Sequence, residues 1–223
     1  MPLSAAGIQD SLTRSYKYSG AVIHGVLFNL NLYTATITAT VATSLINSAA
    51  HGLVNGCRLR FSTTGTLPAP LVVNTDYFVI GAVAGTYQLS TSLGGAAIAL
   101  TTTGTGTITA TEQTPGLNDP LAVWVRLEVA YGGSGRQSIS FASVSPIALG
   151  DGWSFPPQTF TFSPTTASIT YRVLGILMDG VVTAGNSTGR LQFFKDFGAT
   201  FTIASGSNRD FQYAPSLASG TDF

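Results

Sequence analysis

Residues 49–80, AAHGLVNGCRLRFSTTGTLPAPLVVNTDYFVI, are punctuated as strands joined by tight turns are. Asn55-Gly56 supplies residues that tolerate positive φ, and Pro68-Ala69-Pro70 fixes φ where the chain must reverse. Between these turns Leu59 and Phe61 alternate with Arg58 and Arg60. Successive side chains of a strand point to opposite faces, so this stretch reads as a half-buried antiparallel strand. Only Arg58, Arg60 and Asp76 carry formal charge across it.

The same punctuation extends in both directions. Period-two alternation and β-branched residues predict strands over 34–43, 57–64, 75–83, 86–91, 96–102 and 106–113, and no window shows a helical period. Gly85, Gly94-Gly95 and Gly104 supply the turns between them. The segment TPGLNDP, 114–120, concentrates turn residues and marks a boundary. Beyond it the expected strands are longer and richer in Phe: 121–131, 136–143, 158–163, 167–178, 189–194, 199–204 and 209–213. The first 33 residues, with Tyr16, Tyr18, Phe28 and Tyr33, match this later part in composition. The expectation is an all-β chain in which 1–37 and 114–223 build a larger β-sandwich. Residues 38–113 form a small β module, inserted or appended.

Charge is scarce. Charged residues are 9% of the 223, against about 25% in an ordinary soluble domain. Ten basic and ten acidic residues cancel, so little repulsion opposes association. The 30 threonines, with Ser, Asn and Gly, keep the surface wet, or partners cover it. No basic stripe is present to neutralise phosphates, which argues against nucleic acid as a partner. No run of 18 apolar residues predicts a membrane span. The amino terminus lacks the basic and apolar regions of a secretory signal. Cys57, the single cysteine, cannot form an internal disulfide, which fits synthesis in a reducing host cytoplasm.

One set of separated motifs carries a resemblance. His51-Gly52-Leu53, Asn55-Gly56, Phe61, TTGTLP (63–68), Leu71, Thr75, Tyr77, Val79, TYQLS (86–90), Gly94-Gly95, Ile98 and GTGT (104–107) together resemble a module recurrent in virion proteins of tailed bacteriophages. Two positions depart from it: Cys57 stands where an acidic residue is common, and Pro70 where glycine is usual. The later stretch 171–211 resembles the end of small phage structural proteins, in which paired strands close a jelly-roll-like sandwich. The resemblance implies a virion structural component.

The residues offer little enzymatic chemistry. Glu112 and Glu128 are the only glutamates; a glycosidase would need such a pair at a set separation, but exposed strand positions are the usual place for Glu. Asp119, Asp151, Asp179, Asp196 and Asp210 adjoin turn residues, where Asp closes the backbone locally. His24 and His51 lack a second ligand at metal spacing, and His51 is expected to shape a turn. Cys57 is expected to be a small apolar residue of a strand. No catalytic, metal-binding or cofactor-binding residue is assigned, and no cofactor is expected.

The expected function is therefore structural and non-enzymatic: a capsid decoration (cement) protein on the capsid surface, clamping neighbouring capsomers. A tail, neck or fibre-tip protein, receptor-binding in some cases, is the alternative. Expected partners are the chain itself, as a homotrimer, and the major capsid protein or another virion protein. Interface candidates are Tyr16 and Tyr18, which alternate around Lys17, together with Phe193, Phe194, Phe197 and Phe201. Phe193 and Phe194 are adjacent, so on a strand they face opposite sides.

Overall fold

The computed structural model describes residues 23–218, apart from 142, 143, 145, 150, 151 and 181. It is nearly all β, so the expected class holds. The first seven strands are β1 Ile23–Phe28, β2 Thr34–Thr40, β3 Leu45–Asn47, β4 Arg58–Thr63, β5 Tyr77–Val83, β6 Thr86–Ser90 and β7 Ile108–Glu112. A short helix, α1 Leu121–Val125, follows. Then come β8 Gln137–Ile139, β9 Ile147–Leu149, β10 Gly152–Ser154, β11 Gln158–Phe162, β12 Ile169–Met178, β13 Arg190–Ile203, β14 Arg209–Tyr213 and β15 Ser216–Ala218.

The chain divides into two compact units. One is continuous, from Leu30 to Leu127; the other combines the residues before Leu30 with those from Glu128 onward. These limits lie outside the 38 and 113 expected for the module. The reason is closure: the continuous unit is a barrel in the order β2-β3-β6-β5-β4-β7. Its last seam pairs Thr34–Ile37 with Thr111–Ile108. Residues 34–37 therefore belong to the barrel, and full closure leaves no open sheet edge.

Inside the barrel pack Ile37, Ile46, Leu59, Phe61, Val79 and Tyr87. The alternation expected of the opening stretch is what the fold uses: Leu59 and Phe61 are buried and Arg60 is exposed. The TTGTLP and GTGT motifs form one device at the barrel's end. Thr66 N–H donates to the Thr105 carbonyl and Thr105 N–H returns the bond, while Thr107 N–H donates to the Thr64 hydroxyl. The two loops approach so closely that a Cβ on Gly65 would lie 2.6 Å from the Thr105 carbonyl oxygen, and one on Gly104 2.6 Å from that of Thr66.

Two expected strands are corrected. Residues 96–102 have no strand pairing; Ile98 N–H bonds to Leu89 O and Thr101 N–H to Ala69 O, an extended path that serves to bury Leu100. Within 121–131, residues 121–125 are helical. Their β-branched and aromatic composition suggests a strand, but Val123, Trp124 and Leu127 are the buried positions, a helical spacing. Asp119 accepts Gly116 N–H at 2.7 Å, and Pro120 opens the turn with φ −54, as proline does at helix starts. The Trp124 indole donates to the Gly116 carbonyl at 2.9 Å, fixing the helix to the preceding loop.

The second unit holds a four-stranded sheet, β13-β12-β1-β8, a three-stranded sheet, β15-β10-β9, and the pair β11-β14. Every residue of β1 is buried; it pairs with β12 along its length and with β8 over Ile23–Gly25. Phe160 and Phe162 of β11 pack in one core with Ile23, Leu27, Tyr171 and Ile176 of the larger sheet. Layer meets layer at Gly25, where a Cβ would stand 2.8 Å from the Phe160 ring. The strands expected at 189–194 and 199–204 are one strand, β13, whose irregularity hides its continuity. Two breaks in register interrupt its pairing with β12, between Tyr171 and Val173 and between Ile176 and Leu177.

Candidate functional site

Among the described residues, Asp76, Glu112, Asp119, Glu128 and Asp196 are each paired with an arginine, and both histidines are hydrogen-bonded. In the barrel, Arg58 lies 3.6 Å from Asp76 and 3.3 Å from Asp119, and Arg60 also binds Asp76. Arg58 and Arg60 thus share Asp76, and Asp119, from outside the opening stretch, supplies the second carboxylate. Glu112 is buried rather than solvated, in contrast to expectation. Its carboxylate binds Arg126 and accepts Tyr33 N–H at 2.9 Å, tying the outgoing and returning ends of the barrel together.

Glu128 is the second correction: its side chain is sequestered in the other unit with a fully buried Arg136. The guanidinium is bidentate, with both contacts at 2.7 Å. Tyr131 O–H and Gly185 N–H also donate to the carboxylate, at 2.8 and 2.7 Å. Arg136 reaches the Asn186 carbonyl at 2.8 Å. A buried carboxylate is stable as an ion only when its lone pairs are filled in this way. Burial would lower the Arg136 pKa, but hydrogen bonds and proximity to Glu128 outweigh it and the value is raised.

Both histidines are structural. Leu53 N–H donates to His51 Nδ1 at 3.0 Å, so the proton sits on Nε2, which bonds to the Val83 carbonyl at 2.8 Å. The expected turn-shaping role is the one His51 fills. His24 Nε2 faces the Gly180 carbonyl at 3.3 Å and its Nδ1 faces the Ser138 hydroxyl at 2.8 Å. Burial lowers its pKa, and the charge of Arg136 adds to the effect. Burial pushes the Cys57 thiol up to about 11. Among the described residues no cluster of His, Cys, Asp and Glu is suited to a metal ion. No helix among them is long and apolar enough to cross a membrane.

What remains open is an aromatic face on β13 and β14. Phe193 and Phe201 are 48% and 41% exposed. Phe194 is half-buried, so the two adjacent rings do differ in environment. Phe197 is also half-buried, with ring centroids 6.0 Å from Tyr171, 5.9 Å from Phe201 and 6.1 Å from Phe211. The cluster continues inward through Phe211 to Phe162, so the core reaches the surface at Phe201. Arg209 lies over the Phe211 ring, 5.8 Å from its centroid. Of the other interface candidates, Tyr16 and Tyr18 lie outside the described residues. Sequence reasoning missed Arg190, Lys195 and Arg209 near these rings; the signal for Lys195 and Arg209 was a phenylalanine two residues away, at Phe193 and Phe211, whereas Arg190 comes beside Phe193 only through a break in register.

Arg172 and Asp196 form a bidentate pair at 2.9 and 3.0 Å on the partly exposed side of β12 and β13. Hydrogen bonding from Arg172, then from Gly198 N–H, lowers the Asp196 pKa. No family model matches the chain, and no curated protein or solved structure matches it.

Proposed function

We propose that the protein is a non-enzymatic structural component of a tailed-bacteriophage virion, a capsid decoration protein that clamps neighbouring capsomers as a homotrimer. The observation that carries this reading is the allocation of charge. Arg58, Arg60, Arg126, Arg136 and Arg172 are each held by a carboxylate, and both histidines are hydrogen-bonded into the backbone. These groups therefore hold structure together, while exposed aromatics remain for association. A closed barrel with a threonine-rich outside withstands crowded display without offering strand edges. Cyclic symmetry lets one modest contact be used several times, and simultaneous engagement raises avidity without new contacts.

Cryo-EM of intact particles tests the reading. Density for the chain on the outer capsid surface at symmetric positions supports it. Density at the tail, neck or fibre tip would replace it with the tail assignment. Sedimentation equilibrium at micromolar concentration tests the trimer, and a monodisperse monomer would remove it.

A further inference from the structure

We infer that the exposed side chains of β13, chiefly Arg190, Phe193, Lys195 and Phe201, dock an acidic, partly apolar segment of a different virion chain. The inference rests on the virion reading and names the chemistry of the partner. Among the described residues, Arg190, Lys195 and Arg209 form no ion pair with a carboxylate, and Arg190 and Lys195 are exposed. These three belong to the same two strands as Phe193 and Phe201. The other described arginines, Arg58, Arg60, Arg126, Arg136 and Arg172, are in ion pairs, and Arg209 rests on the Phe211 ring, so among the described residues cations without a carboxylate meet large exposed rings on this face. Apolar anchors flanked by cations fit a segment that alternates carboxylates with apolar side chains.

A second copy of this chain is a poor occupant. Its carboxylates are largely taken: among the described residues Asp76, Glu112, Asp119, Glu128 and Asp196 already pair with arginines, so a second copy offers few acidic groups to Arg190 and Lys195. Continuous strand addition is disfavoured too. Opposite Tyr171 and Val173, β13 offers Phe201 and Asp196, so it carries extra residues there. Gly198 takes φ +75 within that step. Such bulges blunt an edge against pairing. Side chains, rather than a shared ladder, would make the contact.

The test uses the full chain, an R190E/K195E variant and an F193S/F201S variant, each checked for an unchanged melting temperature. Two probes are read: undecorated shells from particles that carry the protein, and a synthetic peptide of alternating Glu and Leu followed by fluorescence anisotropy. The expected result is that each variant binds both probes about ten-fold or more weakly. Wild-type binding should also weaken between low and high salt, as screening predicts. The sedimentation behaviour of both variants should match that of the wild type. Equal binding of the peptide by wild type and variants overturns the inference, even where shells are bound. Loss of the oligomer in R190E/K195E would assign the face to self-association and also overturn it. Peptide binding that the variants lose, with no shell binding by any form, supports the face and rejects the capsid reading.

Discussion

Glu128 and Arg136 show how a single residue's role departs from its average behaviour. With side chains 2% and 0% exposed, they form a pair in which removing one partner leaves an uncompensated buried charge. Arg136→Met should therefore destabilise its unit by about 3–5 kcal/mol, measured by urea denaturation, and adding Glu128→Leu should recover part of the loss. His24 gives a pH dependence with a defined sign. Its folded pKa lies below the ordinary imidazole value of about 6.5, so the unfolded state binds the proton more readily. Stability is full above that value and declines as pH falls from it toward the depressed folded pKa. His24→Asn should flatten this part of the stability profile, and a slope identical to wild type would refute the assignment. Cys57, buried with its thiol raised to about 11, should resist alkylation by iodoacetamide at pH 8 and react at once in denaturant.

Among the elements, the paired threonine-glycine loops have the tightest tolerance. Gly104 sits at φ +75, and its Cβ would meet the Thr66 carbonyl and the Ile108 side chain. Gly104→Ala should cost about 1–3 kcal/mol of barrel stability in thermal melts, whereas Gly85→Ala, with open space around it, should cost less. A loss no larger than that of Gly85→Ala would show that the two loops yield. The barrel strands were legible because turn chemistry and alternation agree in 58–63, 77–83 and 86–90. Helix α1 was not, because its five residues are too few for a period to emerge. Strands β3, β9, β10 and β15 are three residues long, and pairing rather than local pattern defines them. β1 escaped the period-two reading, since a strand buried on both faces loses its alternation.

The division into units carries the prediction for the whole molecule. The ends of the flanking segments are neighbours: Phe28 bridges Glu128, and Val129 N–H bonds to the Leu27 carbonyl at 3.1 Å. The two main cores draw on different residues. Replacing 30–127 with a short Gly/Ser linker should leave a β protein that melts cooperatively, and 30–127 alone should fold as a barrel. Loss of a cooperative transition in either piece, followed by circular dichroism, would reject separate cores.

By itself the sequence determined the β class, the hairpin punctuation of the barrel and the neutral, threonine-rich character of the chain. Each depends on local propensity, period and composition, which neighbouring residues settle among themselves. The tertiary structure decided where the barrel closes, and it buried Glu112 and Glu128 against Arg126 and Arg136. It also left Phe193 and Phe201 outside while drawing Phe197 inward. Those outcomes depend on partners 8 to 79 residues away, such as Arg136 for Glu128 and Glu112 for Tyr33. Burial and ion pairing are properties of that assembled neighbourhood, which local propensity does not set even where the partners are close in sequence.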